Sequence, residues 1–436
     1  MSVLDAFREA TASHQRCVWL DGGGAREWSG NRSLVGVLEP DDVSLTYSAA
    51  TGDVTRHVDG ESEVVGSDVF AVLQDELATG SSRDQWFGYF GYASRPDLPA
   101  LVGSDGVPDA VWMRPSRVRL FDHGSVQEYP GSRGFLHQMG VATPIRGQNT
   151  RLPGYSNRPP ADYARAFAQV QEQLHAGNSY EVNLTYRLDA SSDLDPVAAY
   201  LRLRALNPAP YAGCLQLDVE GARGWLLSSS PERYALVTAD DDGRTIETKP
   251  IKGTTPRGAT PEEDEELRRA LATEPRFRAE NLMITDLLRN DLAMVCEVGT
   301  VEVPGLLRVE SYPTVHQLVS TVRGRLRPEV GTVEALRALF PAGSMTGAPK
   351  LRTMEIIAEV EETSRGAYAG AFGWLSGDGR ADLGVVIRTL TTTGAGSYRL
   401  GTGGGITVHS SVEDEYAESR WKAERLLTTL SAVDQS

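Results

Sequence analysis

The sequence predicts an α+β fold, on three observations. Tyr163, Phe167, Val170 and Leu174 recur at helical spacing. Residues 179–188, SYEVNLTYRL, alternate from one residue to the next as a strand does. Elsewhere strand-like and helix-like stretches mix without the regular βαβ succession of a doubly wound sheet.

In chain order, the first part is rich in Gly, Asp and Ser. Its short apolar runs CVWL (17–20), LVGVL (34–38) and VWMRPSRVRLF (111–121) read as strands separated by turns. The stretch GVATPIRGQNTRLPGYSNRPPA (140–161) is linker-like in its Pro, Gly and polar content. It divides a strand-rich N-terminal region, 1–150, from the remainder, 151–436. The helix carrying Tyr163 is expected to end at Gly177. In the strand after it, Tyr180, Val182, Leu184, Tyr186 and Leu188 share one face, and Glu181, Asn183, Thr185 and Arg187 the other. Thr260-Pro261-Glu262-Glu263 is a capping box with proline at the first helical position. Ser410 and Glu413 repeat that pattern before a C-terminal helix.

At 436 residues, 40% hydrophobic and 23% charged, the composition is that of a soluble globular protein. No run approaches the roughly 18 apolar residues of a membrane span. The start, MSVLDAFREATASHQR, lacks the basic-then-apolar order of a signal peptide, so a cytoplasmic protein is expected. Cys17, Cys214 and Cys296 have no CxxC spacing, which argues against a disulfide framework or a zinc site. The net charge of −16 argues against nucleic acid or an anionic membrane as partner. It leaves room for a small anionic substrate.

Only four of the 43 basic residues are lysine: Lys249, Lys252, Lys350 and Lys422. An amine can lose its proton and attack carbon, whereas a guanidinium stays charged. Glu280, Met283, Ile284, Leu287 and Leu288 form one helical stripe, which puts a carboxylate on an apolar face. Such a carboxylate is costly to bury unless paired or bound to a metal; an arginine partner, or an exposed end of the stripe, accounts for it equally well. Glu415, Glu418 and Lys422 also share a helix face, and GTGGGIT (401–407) just before them offers backbone N–H groups to an anion. Glycine loop and carboxylates together suit a hard cation such as Mg²⁺, which typically uses one or two carboxylates plus substrate oxygens and water.

These stretches resemble the chorismate-utilising enzymes, and among them most the component I chains of aminodeoxychorismate synthases. SYEVNLTYRL, SSSPERY (228–234), KPIKGT (249–254), RAENLMITDLLRNDL (278–292), VHQLVSTV (315–322), FPAGSMTGAPK (340–350), GAYAGAFGW (366–374), VVIRTL (385–390), GTGGGIT and EYAESRWKA carry the resemblance in order. It implies a large two-sheet β core clothed by helices, with Mg²⁺ as cofactor and chorismate as substrate. Glu280 and Glu418 take the magnesium-ligand positions, with Glu415 beside them. Tyr368 and Arg388 match positions on the substrate's carboxylate side, and Thr346, His316, Lys422 and the backbone of Gly403, Gly404 and Gly405 line the same site. Glu232 matches the general acid and base.

By the same resemblance Lys252, in PIKGT, is the nucleophile that adds at C2 of chorismate. Ammonia then enters at C4 to give 4-amino-4-deoxychorismate on the route to 4-aminobenzoate, feeding folate or a specialised product. The nucleophile must be a neutral amine, so a lowered Lys252 pKa is expected. The alternative is an anthranilate or 2-amino-2-deoxyisochorismate synthase aminating at C2, which Lys252 argues against. Relatives that activate water carry a lysine where this chain has Glu181. A non-catalytic chorismate-binding regulatory subunit would be expected to lack part of the set Glu232, Glu280, Glu418 and Lys252. No cysteine here has the glycine-flanked context of a glutaminase, so ammonia is expected from a separate glutamine amidotransferase subunit.

Overall fold

The structure, a computed structural model, describes residues 1–22, 32–123, 158–312 and 315–431. Most of the linker-like stretch therefore lies outside the described residues. Helix α1 (Val3–Ser13) starts at Ser2, whose hydroxyl accepts from the Asp5 N–H. Strands β1 (Cys17–Asp21), β2 (Arg32–Val37), β3 (Ser44–Ser48), β4 (Asp53–Val58) and β5 (Glu61–Gly66) follow. Helix α2 (Val69–Thr79) leads to β6 (Gln85–Phe90), β7 (Ala110–Met113) and β8 (Arg117–Asp122). The run 111–121 is thus two strands, parted at Pro115, which has no N–H to give a ladder.

Helix α3 (Ala161–His175) ends as its spacing predicts, with Gly177 at φ +76°. Next come β9 (Glu181–Ser191), α4 (Pro196–Leu206), β10 (Tyr211–Val219), β11 (Ala222–Ser230), β12 (Arg233–Asp240), β13 (Gly243–Lys249) and β14 (Ile251–Pro256). Helices α5 (Pro261–Thr273) and α6 (Pro275–Ala293) precede β15 (Glu302–Ser311) and β16 (Val315–Arg325). The last part runs α7 (Thr332–Leu339), β17 (Gly347–Ala348), α8 (Lys350–Val360), β18 (Ala371–Ser376), β19 (Ala381–Val385), β20 (Thr389–Thr392), β21 (Ser397–Ile406) and α9 (Val412–Leu430). Thr260 caps α5 through the Glu263 N–H with Pro261 at the first position as expected, but the box does not close, because the Glu263 carboxylate accepts from the Ala259 N–H instead. The cap of α9 falls one residue later than expected, on Ser411, because the Ser410 hydroxyl is turned to Glu415 instead.

The strands form two antiparallel sheets, and the α+β reading holds. One has nine strands, ordered β17-β9-β21-β20-β11-β10-β1-β2-β8. The other has twelve: β14-β16-β13-β12-β19-β18-β6-β7-β3-β4-β5, with β15 also on β16. The N-terminal strands thus join both sheets. Side-chain alternation builds the layers. Val18 and Tyr89 point between the sheets, with Leu215, Leu226, Met113 and Phe372. Their neighbours Trp19 and Phe90 point outward. Trp19 meets Phe7 of α1 at 4.9 Å and Tyr200 of α4 at 5.4 Å between ring centroids. Phe90 stacks on Phe70 of α2 at 4.0 Å. Truncating a ring buried this completely costs about 3–5 kcal/mol.

Candidate active site

A cavity of about 370 Å³ opens where β9 and β21 of one sheet approach β14 and β16 of the other, beside α6 and α9. Nine of the expected residues and groups meet there: Glu232, Lys252, Glu280, Tyr368, Arg388, the Gly403–Gly405 run, Glu415, Glu418 and Lys422. The glycine run is a strand, not a loop. Residues 397–406 pair with β9 along their whole length, Gly405 opposite Asn183, while β20 reaches only Arg399 and Leu400. Glycine is required at 403, because a Cβ there would lie 2.2 Å from the Leu184 carbonyl oxygen of β9. Thr402 ties the strand to α9, its hydroxyl donating to the Ser419 carbonyl at 2.6 Å.

Two expected residues do not reach the cavity wall. His316 is buried on the other face of β16, hydrogen-bonded to Ser311 at 2.7 Å and Asp264 at 3.0 Å. Strand alternation gives the wall to Gln317 instead. Thr346 is fully buried, and its hydroxyl donates back to the carbonyls of Ala342 and Gly343. The same turn presents Ser344 and Met345 to the cavity.

Lys252 is buried, and its ammonium donates to Oε1 of Glu181, which is wholly buried on β9. Burial pushes the Lys252 pKa down, but the charges of Glu181, Glu280 and Glu232 outweigh it and raise the value. The expected lowering is therefore not found: surrounding carboxylates hold the amine as ammonium. Glu232, just before β12, is the opposite case. Burial raises its pKa to about 7, against the Ser344 hydroxyl bond, Lys252, the Ile251 N–H and Lys422. Ser344 donates to Glu232 Oε1 at 2.7 Å.

Glu280 on α6 and Glu418 on α9 open onto the same cavity, each held by a protein cation. Arg276 donates to Glu280 at 2.9 Å and also to Glu415; Lys422 donates to Glu418 at 2.8 Å and to the Gly403 carbonyl at 3.1 Å. Glu415 also accepts from Ser410 at 2.6 Å. Among the described residues no three His, Cys, Asp or Glu groups converge enough to enclose an ion. Glu280 and Glu418 both line the cavity, a donor set of the kind Mg²⁺ takes, since it typically uses one or two carboxylates with water and substrate oxygens. At the opposite wall Tyr368 lies against Gly401 and under the Arg187 guanidinium, 4.6 Å from its ring centre. Arg388 has φ +49°, stands over the Trp421 ring at 5.8 Å, and has its pKa lowered to about 10 by burial and Arg425.

Arg276, Asn183, Gln317 and Ser344 also line the cavity and were not singled out from sequence. Arg276 had a readable signal, its i,i+4 spacing to Glu280. The other three had none.

Two antiparallel sheets with a cavity that joins a buried lysine, an acid whose pKa burial raises to about 7 and several further carboxylates define an enzyme class. The chain belongs to the chorismate binding enzyme family, whose sequence profile matches residues 15–428. It is 45% identical to aminodeoxychorismate synthase component 1 of Klebsiella aerogenes, over 94% of this chain and 92% of that one. It is 40% identical to the aminodeoxychorismate synthase of Streptomyces pristinaespiralis, matching 99% of its own length but only 63% of that protein's. Among solved structures, anthranilate synthase component I from Streptococcus pneumoniae superposes with a TM-score of 0.71 at 24% identity, covering 91% of this chain and 92% of that one, which shows a common fold.

Proposed function

We propose that this chain aminates chorismate at C4, with ammonia, to give 4-amino-4-deoxychorismate. One observation carries the reading: a lysine and an acid whose pKa burial raises to about 7, Lys252 and Glu232, open onto one cavity. Lys252 first passes its proton to Glu181, its direct hydrogen-bond partner. The free amine adds at C2, the two ring double bonds shift, and the C4–O bond breaks. Glu232 gives its proton to the departing hydroxyl, so water leaves. Ammonia then adds at C4, the double bonds shift back, and Lys252 departs with a proton returned from Glu181. The proton shed by the new C4 amine restores Glu232. Burial suits Glu232 to both directions of transfer, because an acid with a pKa of about 7 is neither strongly held nor easily lost.

Glu280 and Glu418, with Glu415 beside them, would hold Mg²⁺, which supplies positive charge for the substrate's carboxylate. Arg388 and Tyr368 hold the substrate on its carboxylate side. All the residues that line the cavity fall between Asn183 and Leu426, so we assign the chemistry to 151–436 and treat 1–150 as packed on that core. We assign ammonia supply to a separate glutamine amidotransferase. In support, Cys17, Cys214 and Cys296 are buried with thiol pKa values raised by that burial, so none is a poised nucleophile. The described helices include none long and apolar enough to cross a membrane, and a cytoplasmic setting on the route to 4-aminobenzoate is part of the same proposal.

The test is product identity: purified chain, chorismate, Mg²⁺ and ammonium, with NMR of the isolated product. Amine at C4 with the enolpyruvyl group retained is the expected result. Amine at C2, or anthranilate, would overturn it.

A further inference from the structure

The geometry points to a water held by Thr248 behind Glu232, through which the acid exchanges its proton while the substrate cavity is filled. This rests on the reading of Glu232 as the acid. Glu232 borders two spaces. One is the substrate cavity; the other is a small chamber whose wall includes Thr248, Lys249 and Ser344. The chamber leaves about 10 Å³ for the centre of a water-sized sphere, which is room for one ordered water.

Thr248 is 1% exposed, and its hydroxyl has no hydrogen-bond partner within the protein. Buried hydroxyls are almost always partnered, because leaving one unpaired forfeits its hydration. Here the residue with the unpaired hydroxyl and Glu232 both line the same water-sized chamber. A water between them satisfies Thr248 and gives Glu232 a proton partner on the side away from the substrate. Oε1 of Glu232 is already engaged by Ser344. Lys249 at the same wall pairs with Glu310 at 2.7 Å, and those side chains are 17% and 33% exposed.

Such a partner gives Glu232 a second route for its proton besides the C4 amine. When Glu232 has given its proton to the departing hydroxyl, the ring fills the front of the carboxylate. A rear water can pass one proton to the carboxylate, or take one from the acid, with no other bond changed. Thr248 touches neither substrate nor reacting atom, so it is a positioning residue. The groups that set the charge of Glu232 are Lys252, Lys422, the Ser344 hydroxyl and the Ile251 N–H, which favour the anion, against burial.

The test uses the full chain and three forms: wild type, Thr248→Val and Thr248→Ser. High-resolution crystal structures are expected to show one water within hydrogen-bond distance of Glu232 and residue 248 in wild type and T248S, and none in T248V. T248V is expected to lose about tenfold in kcat with an unchanged KM for chorismate and a larger solvent deuterium isotope effect, and T248S to restore both. A dry chamber in wild type overturns the inference. So does a T248V enzyme whose kcat and isotope effect equal those of wild type. Failure of the amination reading shows separately, as a wild type that does not turn chorismate over; the crystallographic result still decides the water. If T248V does not fold, Thr248→Ala takes its place in both measurements.

Discussion

Lys252, buried, and Lys350, partly buried, are both paired with a buried carboxylate, and they sit in different electrostatic worlds. Lys350 opens α8, donates to Asp291 at 2.6 Å and to the Leu339 carbonyl at 2.8 Å, and borders no part of the active-site cavity. Burial dominates there and lowers its pKa despite Asp291. Lys252 faces the cavity, and three carboxylates raise its pKa against burial. A low resting pKa would therefore pick the wrong lysine. What marks Lys252 is that open space lies in front of it. Lys350 has its hydrogen bonds but nothing to attack.

The comparison breaks most sharply on the lysines themselves. Lys252→Ala is expected to reduce C4 amination by roughly a thousandfold or more, as loss of an attacking group does. Lys350→Ala is expected to leave kcat per folded molecule unchanged. Steady-state kinetics on both variants, corrected for folded fraction, checks this. Equal losses would mean that the two sites do not differ in kind.

Glu232→Gln comes next, with an expected loss of about 10²–10⁴ in kcat. In wild type the acid form of Glu232 is present below about pH 7, so the rate should fall about tenfold per unit above it. The sign for stability is the same. The folded pKa is raised, so its contribution is full below the unfolded value near 4.5 and is lost as pH rises through 7. E232Q removes that slope, which denaturant titrations between pH 4.5 and 7.5 would read.

For Lys350 the expected effect is on stability alone. Removing its ammonium leaves Asp291 buried and uncompensated, at a cost of about 3–5 kcal/mol. Urea unfolding of K350A measures this. A paired replacement, Lys350→Met with Asp291→Leu, should recover most of it, because no charge is then stranded. An unchanged midpoint for K350A would remove the contrast between the two lysines from the other side.

Much of this arrangement was legible in the sequence, and the reasons differ by residue. Helical and strand periods located α3, β9 and the α6 stripe, because burial imposes those periods on apolar residues. The motifs that resemble the family carried Glu232, Lys252, Glu280 and Glu418. His316 failed because a one-residue step along a strand exchanges faces, and VHQL offers two polar neighbours with nothing local to choose between them. Thr346 failed for a similar reason within a tight turn. Glu181 was visible as a strand residue and as a departure from relatives, but its partnership with Lys252 spans 71 positions and is set by how β9 meets β14. The direction of the Lys252 pKa was out of reach for the same cause: it depends on three carboxylates brought in from β9, α6 and the turn before β12.

The smallest expected effect sharpens the comparison most. Glu181→Gln keeps an acceptor oxygen and nearly the same shape beside Gly405, and removes one negative charge. Glu181 is the first of the charges that raise the Lys252 pKa, ahead of Glu280 and Glu232. In E181Q that pKa should therefore fall, so more of the amine is neutral at any given pH. Carbamylation by cyanate, a reagent small enough for a buried amine, can be followed on the Lys252 peptide by mass spectrometry. Its midpoint is expected at a lower pH in E181Q than in wild type, while Lys350, held by Asp291, is expected to carbamylate at the same rate in both proteins. The change in kcat should stay within about tenfold, or about 1.4 kcal/mol, because easier deprotonation offsets the loss of the proton acceptor. A midpoint that stays in place or moves up would mean that Glu181 does not set the protonation of Lys252, and that its burial beside the amine serves packing alone.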